Sequence, residues 1–201
     1  MKKIKNFNRG FTLVETLVAV SIFSMSILAL MSVLASGISN TIYAKQKIIA
    51  SYLAQEGIEY IRNMRDTFVL YDPAGTQVGW DAFKDTLTDA ACQETSGCYF
   101  DDQRDRDGDS FNMYLSPDPQ PITKILLESC AGDCQPLLYN EDTGKYGYDT
   151  PGVNSGFIRK IRMTTTESNI NEVKIFSSVS WKQGSGTYSV TLSENLFNWV
   201  E

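Results

Sequence analysis

Few residues in this chain are set out so that chemistry could use them. Glu15 is the only charge in an apolar run that begins at Phe11 and continues to residue 44. A lone carboxylate there costs several kcal/mol unless a cation pairs with it. If the peptide bond after Gly10 were cut, the new amino group on Phe11 would lie four residues from Glu15, about one helical turn away on the same face. Gly10 suits a protease because the missing side chain lets an enzyme backbone approach. The four cysteines fall as Cys92 with Cys98 and Cys130 with Cys134. An even set on the exported side of a membrane points to disulfides; three pairings are open and the two local pairs are favoured. A four-thiolate zinc site is the rival, weakened because the five-residue gap inside the first pair exceeds the usual spacing of about two to four. Asp105, Asp107 and Asp109 place carboxylates on alternate residues, as calcium loops do. Ser110 and Ser116 stand where such a loop needs its glycine and its bidentate glutamate, and Arg104 and Arg106 can neutralise the acids. A solvated acidic turn is therefore favoured, and calcium is the one cofactor candidate in a chain otherwise expected to need none.

Histidine is absent, which removes Ser-His and Cys-His nucleophile systems and imidazole metal sites. No glycine-rich phosphate loop or nucleotide fingerprint occurs, and no acid pair sits in a recognisable catalytic context. No catalytic residue is assigned and no enzyme is expected. The formal charge of the 201 residues is -6. The first ten carry Lys2, Lys3, Lys5 and Arg9 and no acid, so the remainder is at -6 minus 4, or -10. An acidic chain is a poor fit to broad nucleic-acid binding, though a local patch at Arg159, Lys160 and Arg162 is allowed.

The element that must position Glu15 is the apolar run itself. Residues 16–44 lack charge and exceed the roughly 20 residues that span a hydrocarbon core. The leader cations directly before it place the amino terminus in the cytoplasm and the rest outside. Two plainer readings compete: an unprocessed signal anchor, which leaves Glu15 an accident, and an ordinary secretory signal cut after Ala35. Both are weakened because the helical pattern runs past Ala35.

Gly10-Phe11-Thr12-Leu13-Val14-Glu15 behind a short basic leader resembles the prepilin signature shared by type IV pilins and the pseudopilins of type II secretion. The resemblance covers roughly the first 30 residues. It implies cleavage after Gly10 by a membrane aspartic prepilin peptidase and methylation of the new amino group on Phe11. It also implies that Glu15 pairs with the terminus of an adjacent subunit during assembly. One departure is that no proline occurs before Pro73, where many relatives have one partway along the helix. Residues 53–62 look like a segment of some minor pilins, with a helix face packed on a sheet as the favoured plain explanation.

Beyond the span, Ile49, Leu53, Gly57, Tyr60, Ile61 and Met64 recur at helical intervals among charged residues, so one helix is expected from Phe11 to about Asp66. Phe157 to Thr166 and two later runs alternate as strands, with Val173, Ile175, Val179 and Trp181 on one face of the second. Gly184-Ser185-Gly186 marks a hairpin. Trp80, Phe83, Leu87 and Ala91 have short-helix spacing. The expected organisation is a leader at 1–10, an assembly helix at 11–44 and an amphipathic half at 45–66. A loop-rich region at 67–156 and an antiparallel sheet at 157–201 follow. This is an α+β, pilin-like fold, a long helix on a C-terminal sheet.

The function this implies is a structural subunit, a minor pilin, of a type IV pilus-like filament. Its expected partners are other pilin subunits, the prepilin peptidase, the assembly platform and, before assembly, the cytoplasmic membrane, with the cell surface as final location. A type II secretion pseudopilin is the nearest alternative. A membrane-tethered extracellular binding module is a second, and a tethered hydrolase a third.

Overall fold

The computed structural model describes residues 10–72, 74–100, 127–148, 151–166 and 169–198. In chain order its elements are α1 (Leu13–Tyr71), α2 (Thr76–Asp89), β1 (Cys98–Phe100), β2 (Leu127–Ser129), β3 (Pro136–Asn140), β4 (Lys145–Gly147), β5 (Val153–Thr166), β6 (Asn169–Gln183) and β7 (Gly186–Phe197). The chain divides into two units, residues 1–45 and 46–201, and α1 contributes to both.

In the first unit residues 10–42 are exposed throughout. This stretch of α1 is long and apolar enough to cross a bilayer. Most of its hydroxyls are compatible with that solvent because the helix satisfies them internally. Ser21 donates to the Leu17 carbonyl at 2.6 Å, Ser24 to Val20 at 2.8 Å, Ser26 to Ile22 at 2.9 Å, Ser36 to Ser32 at 3.1 Å and Thr41 to Gly37 at 2.9 Å. Each bond removes a donor that would otherwise meet hydrocarbon unpaired.

The second unit is a helix-covered antiparallel sheet of seven strands among the described residues. β5 is its spine: β6 lies along one edge, while β1 and β3 share the other, extended by β2 and β4. β6 and β7 pair in unbroken register from Glu172 with Phe197 to Gln183 with Gly186. Two residues close that hairpin, and Gly184 takes φ +59, a conformation that L side chains rarely adopt. Alternation puts Val173, Ile175, Ser177, Val179 and Trp181 of β6 and Phe157, Arg159, Ile161 and Met163 of β5 on one buried face.

Onto that face pack the buried residues Ile58, Ile61, Met64 and Phe68 of α1 and Trp80, Phe83 and Leu87 of α2. Fully burying each large apolar side chain is worth about 1.5–3 kcal/mol, so this interface is the main source of stability. The axis of α1 comes close at Gly57, where a Cβ would land on Ser177 Oγ and press Ile161 Cδ1. Glycine in the stripe and serine on the facing strand make that approach. A smaller cluster of Tyr99, Cys130 and Cys134, with Tyr148 and Ile158, lies on the other face of the sheet.

The α+β layout of long helix and antiparallel sheet is thus the observed one. Several boundaries differ in detail. α1 runs to Tyr71 instead of ending near Asp66, because Thr67, Phe68 and Val69 continue the buried stripe. The sheet is not confined to 157–201: β5 starts at Val153, and β1 to β4, from within 67–156, hydrogen-bond into the same sheet. Ala91 is not a helical residue; α2 ends at Asp89 and Ala91 sits at φ 56, with Cys92 N donating back to the Leu87 carbonyl at 3.0 Å.

Candidate processing and assembly segment

Gly10, Phe11 and Thr12 precede α1 in irregular backbone. All three are exposed, Phe11 by 79%, and nothing lies within 4 Å of where a Cβ on Gly10 would stand. An exposed, uncrowded Gly-Phe bond leaves room for a peptidase cleft. The helix is started by Thr12: its Oγ1 accepts from Glu15 N at 3.3 Å and its carbonyl from Thr16 N at 3.2 Å. Thr12 is therefore the N-cap and Glu15 the third helical residue, the Thr-x-x-Glu spacing of a capping box. That spacing was readable in the sequence and gives Glu15 a second, local reason to be acidic.

The same geometry sharpens the electrostatics of processing. A cationic amine on Phe11 would sit at the positive end of the helix dipole, which is unfavourable for it. A carboxylate in the first turn offsets both the dipole and the amine. Farther along, Leu34, Gly37, Ile38, Thr41 and Ile42 line a shallow open groove on α1. Gly37 makes the notch, the kind of place where a second helix packs closely in lipid.

In the second unit, residues 53–62 lie against the sheet. Leu53, Ala54, Ile58 and Ile61 are buried beside Gly57. Glu56 leaves the same helix to receive Arg159 Nη1 from β5. Arg159 is 1% exposed, and its guanidinium lies over the Phe100 ring at 3.8 Å, while Tyr60 stacks on Phe100 with centroids 3.8 Å apart. On the opposite flank of α1, Arg62 bridges Glu59 and Glu194 of β7 at 2.7 and 2.6 Å. The local patch allowed at Arg159, Lys160 and Arg162 is reduced by this: strand alternation turns Arg159 inward, and of the three only Lys160 and Arg162 face out.

Disulfides join Cys92 to Cys98 and Cys130 to Cys134. In that pairing no thiolate is left to hold zinc. The first bond lies in the main core and ties the end of α2 to β1; the second lies in the cluster on the far face. Asp105, Asp107 and Asp109 lie outside the described residues. Among the described residues no group of three or more His, Cys, Asp or Glu side chains is placed to hold a metal ion.

A family model described as the prokaryotic N-terminal methylation motif matches residues 5–31. The match takes in the Gly10-Phe11 junction, Glu15 and the first half of the apolar run. Over those residues the chain therefore carries the prepilin-type signature shared by type IV pilins and pseudopilins. No curated protein and no solved structure matches the chain.

Proposed function

We propose that the chain is a structural subunit of a type IV pilus-like filament, and within that class a minor pilin. Prepilin peptidase would cut after Gly10 and the amine of Phe11 would be methylated. Before assembly the span would hold the subunit in the cytoplasmic membrane, leader inside and residues beyond the span outside. Assembly would transfer α1 from lipid into a bundle of like helices, conserving apolar contact while Glu15 gains the amine of a neighbour. The observation that carries this reading is the methylation motif over residues 5–31, coincident with an exposed Gly-Phe bond and a carboxylate one turn into a membrane-capable helix. The minor assignment draws on residues 67–156, which add α2, four short strands and two disulfides to the helix and hairpin. A calcium site at Asp105, Asp107 and Asp109 remains a separate proposal, tested by calcium titration of the full chain.

The test is the intact mass and amino-terminal sequence of the chain purified from its native membrane. A chain beginning at Phe11 and heavier by one methyl group is expected. A chain still carrying Lys2 to Arg9 overturns the proposal.

A further inference from the structure

The charge of the second unit is segregated by layer. On the outer face of β5 to β7 stand Lys160, Arg162, Lys174 and Lys182, against a single acid, Glu172, at one end. Between and beside them lie small hydroxyls, Ser178 against Thr191 at 2.9 Å and Ser180 against Ser189. Among the described residues no carboxylate pairs with any of the four cations. Lys160 reaches only the Thr95 carbonyl, Lys174 lies over Phe176, and Arg162 Nε is buried without a hydrogen-bond partner. Glu128, the acid on the same face of β2, accepts from Tyr99 at 2.6 Å.

Outside the leader the chain has 24 acids and 14 bases, the 18 total less the leader's four. Setting aside this face leaves 23 acids against ten bases, so the rest of the chain is strongly negative. The opposite layer shows it most clearly. α2 turns Trp80, Phe83 and Leu87 into the core and presents Asp81, Asp85 and Asp89 outward at four-residue intervals. Hydrogen bonds from Lys84 and then from Gln77 hold the Asp81 carboxyl below its ordinary pKa. Successive members of that stripe are about 6 Å apart along a helix. Same-face positions on a strand are about 6.6 Å apart, and Arg162, Lys160 and Lys174 occupy adjoining rows.

We infer that the outer face of β5 to β7 is a docking surface for the acidic stripe of α2 on a second copy of this chain. Charge complementarity selects that occupant. A nucleic acid or an anionic membrane meets the cations against the repulsion of the whole acidic chain and supplies nothing for α2. A second copy supplies both signs, and spans held in one membrane raise its effective concentration. Because the two surfaces differ and lie on opposite layers, the contact is heterologous and leaves one free surface of each kind on a joined pair. This inference rests on the subunit reading above and adds the surfaces through which its neighbours meet.

The test uses full-length chain in phosphatidylcholine vesicles, isotope-labelled and unlabelled copies mixed, treated with a carbodiimide that joins amines to carboxylates in contact. Links from Lys174 or Lys160 of one copy to Asp85 or Asp89 of another are expected, at a yield that falls with salt. Lys160→Glu with Lys174→Glu should cut that association about tenfold, and Asp85→Lys with Asp89→Lys in the partner copy should restore it. Circular dichroism checks that each variant remains folded. Links confined to single copies, or no rescue by the charge exchange, overturn the inference. So does protection of these lysines by added oligonucleotide or phosphatidylglycerol vesicles without any copy-to-copy link. No step needs processing at Gly10, so failure here is distinguishable from failure at the amino terminus.

Discussion

At the residue scale, Glu15 has two roles to separate. As the third helical residue its backbone N–H donates to the Thr12 cap and its carboxylate lies in the first turn; as a carboxylate in an apolar run it is proposed to pair with a cation. Thr12→Val removes only the cap, a loss of about 1 kcal/mol that a long helix absorbs. Glu15→Val removes the proposed partner of the cation, and also a cost of at most about 2.5–3.5 kcal/mol, the value for a charge at the centre of the hydrocarbon. Membrane fractionation should therefore show Glu15→Val inserted as well as the parent, while its recovery in sheared filaments falls at least about tenfold by the 1.4 kcal/mol rule. Equal recovery removes the assembly role. Gly57 is a second position where one atom decides. Gly57→Ala should cost about 1–3 kcal/mol through collision with Ser177, and adding Ser177→Ala should recover much of it. Thermal unfolding of the full chain in detergent reads both; an unchanged midpoint for the single variant contradicts the close approach.

At the element scale, polar clamps on both flanks hold α1 to the sheet. The Arg62 bridge to Glu194 is partly solvated, so its loss is worth only about 0.2–1 kcal/mol. The Arg159 pair is different in kind, because its cation is enclosed and its anion is not. Glu56→Leu strands a buried guanidinium and should cost about 2 kcal/mol, discounted for the exposed carboxylate. Glu56→Leu combined with Arg159→Met should cost less than that single change, since no buried charge is left unpaired. A double variant weaker than Glu56→Leu alone would show that the ring contact of Arg159 with Phe100, not its charge, holds the helix.

At the scale of the whole molecule, the region between α1 and β5 is integrated by sulfur as well as by strand pairing. Cys92 and Cys98 are fully buried, and Met163 N donates to the Cys92 carbonyl at 2.9 Å, tying the bridge to β5. Cys92→Ala with Cys98→Ala should lower global stability by about 2 kcal/mol through the freed unfolded chain, read as a lower denaturant midpoint. Loss confined to α2, with the midpoint of the sheet unchanged, would show instead that α2 unfolds by itself. The cations of the outer sheet face and the aspartates of α2 stand on opposite layers of this unit, an arrangement that belongs to no single element.

The prepilin-type signature at the amino terminus was legible because it is local: Gly10, Phe11 and Glu15 are related by spacing over six residues of chain, and no distant residue defines the motif. The alternation of β6 and the glycines of its hairpin were legible for the same reason, since period and turn conformation are set by neighbours in sequence. The Thr12 cap is likewise written locally, in the Thr-x-x-Glu spacing. The short strands β1 to β4 could not be read, because three to five residues carry too little pattern and gain their hydrogen bonds only from β5. Which residue of Arg159-Lys160-Arg162 turns inward depends on a register set by β6, and the buried cation exists only because Glu56 and Phe100 arrive from other elements. The amino acid order thus determined the membrane-length helix and its processing signature through local periodicity and charge. The two local sulfur pairs were favoured by the sequence, whereas the tertiary structure alone decided the ion pair of enclosed Arg159 with Glu56 and the placing of the outer-face cations and the α2 aspartates on opposite layers, because each requires groups far apart in the chain to be brought together by the burial of a shared apolar face.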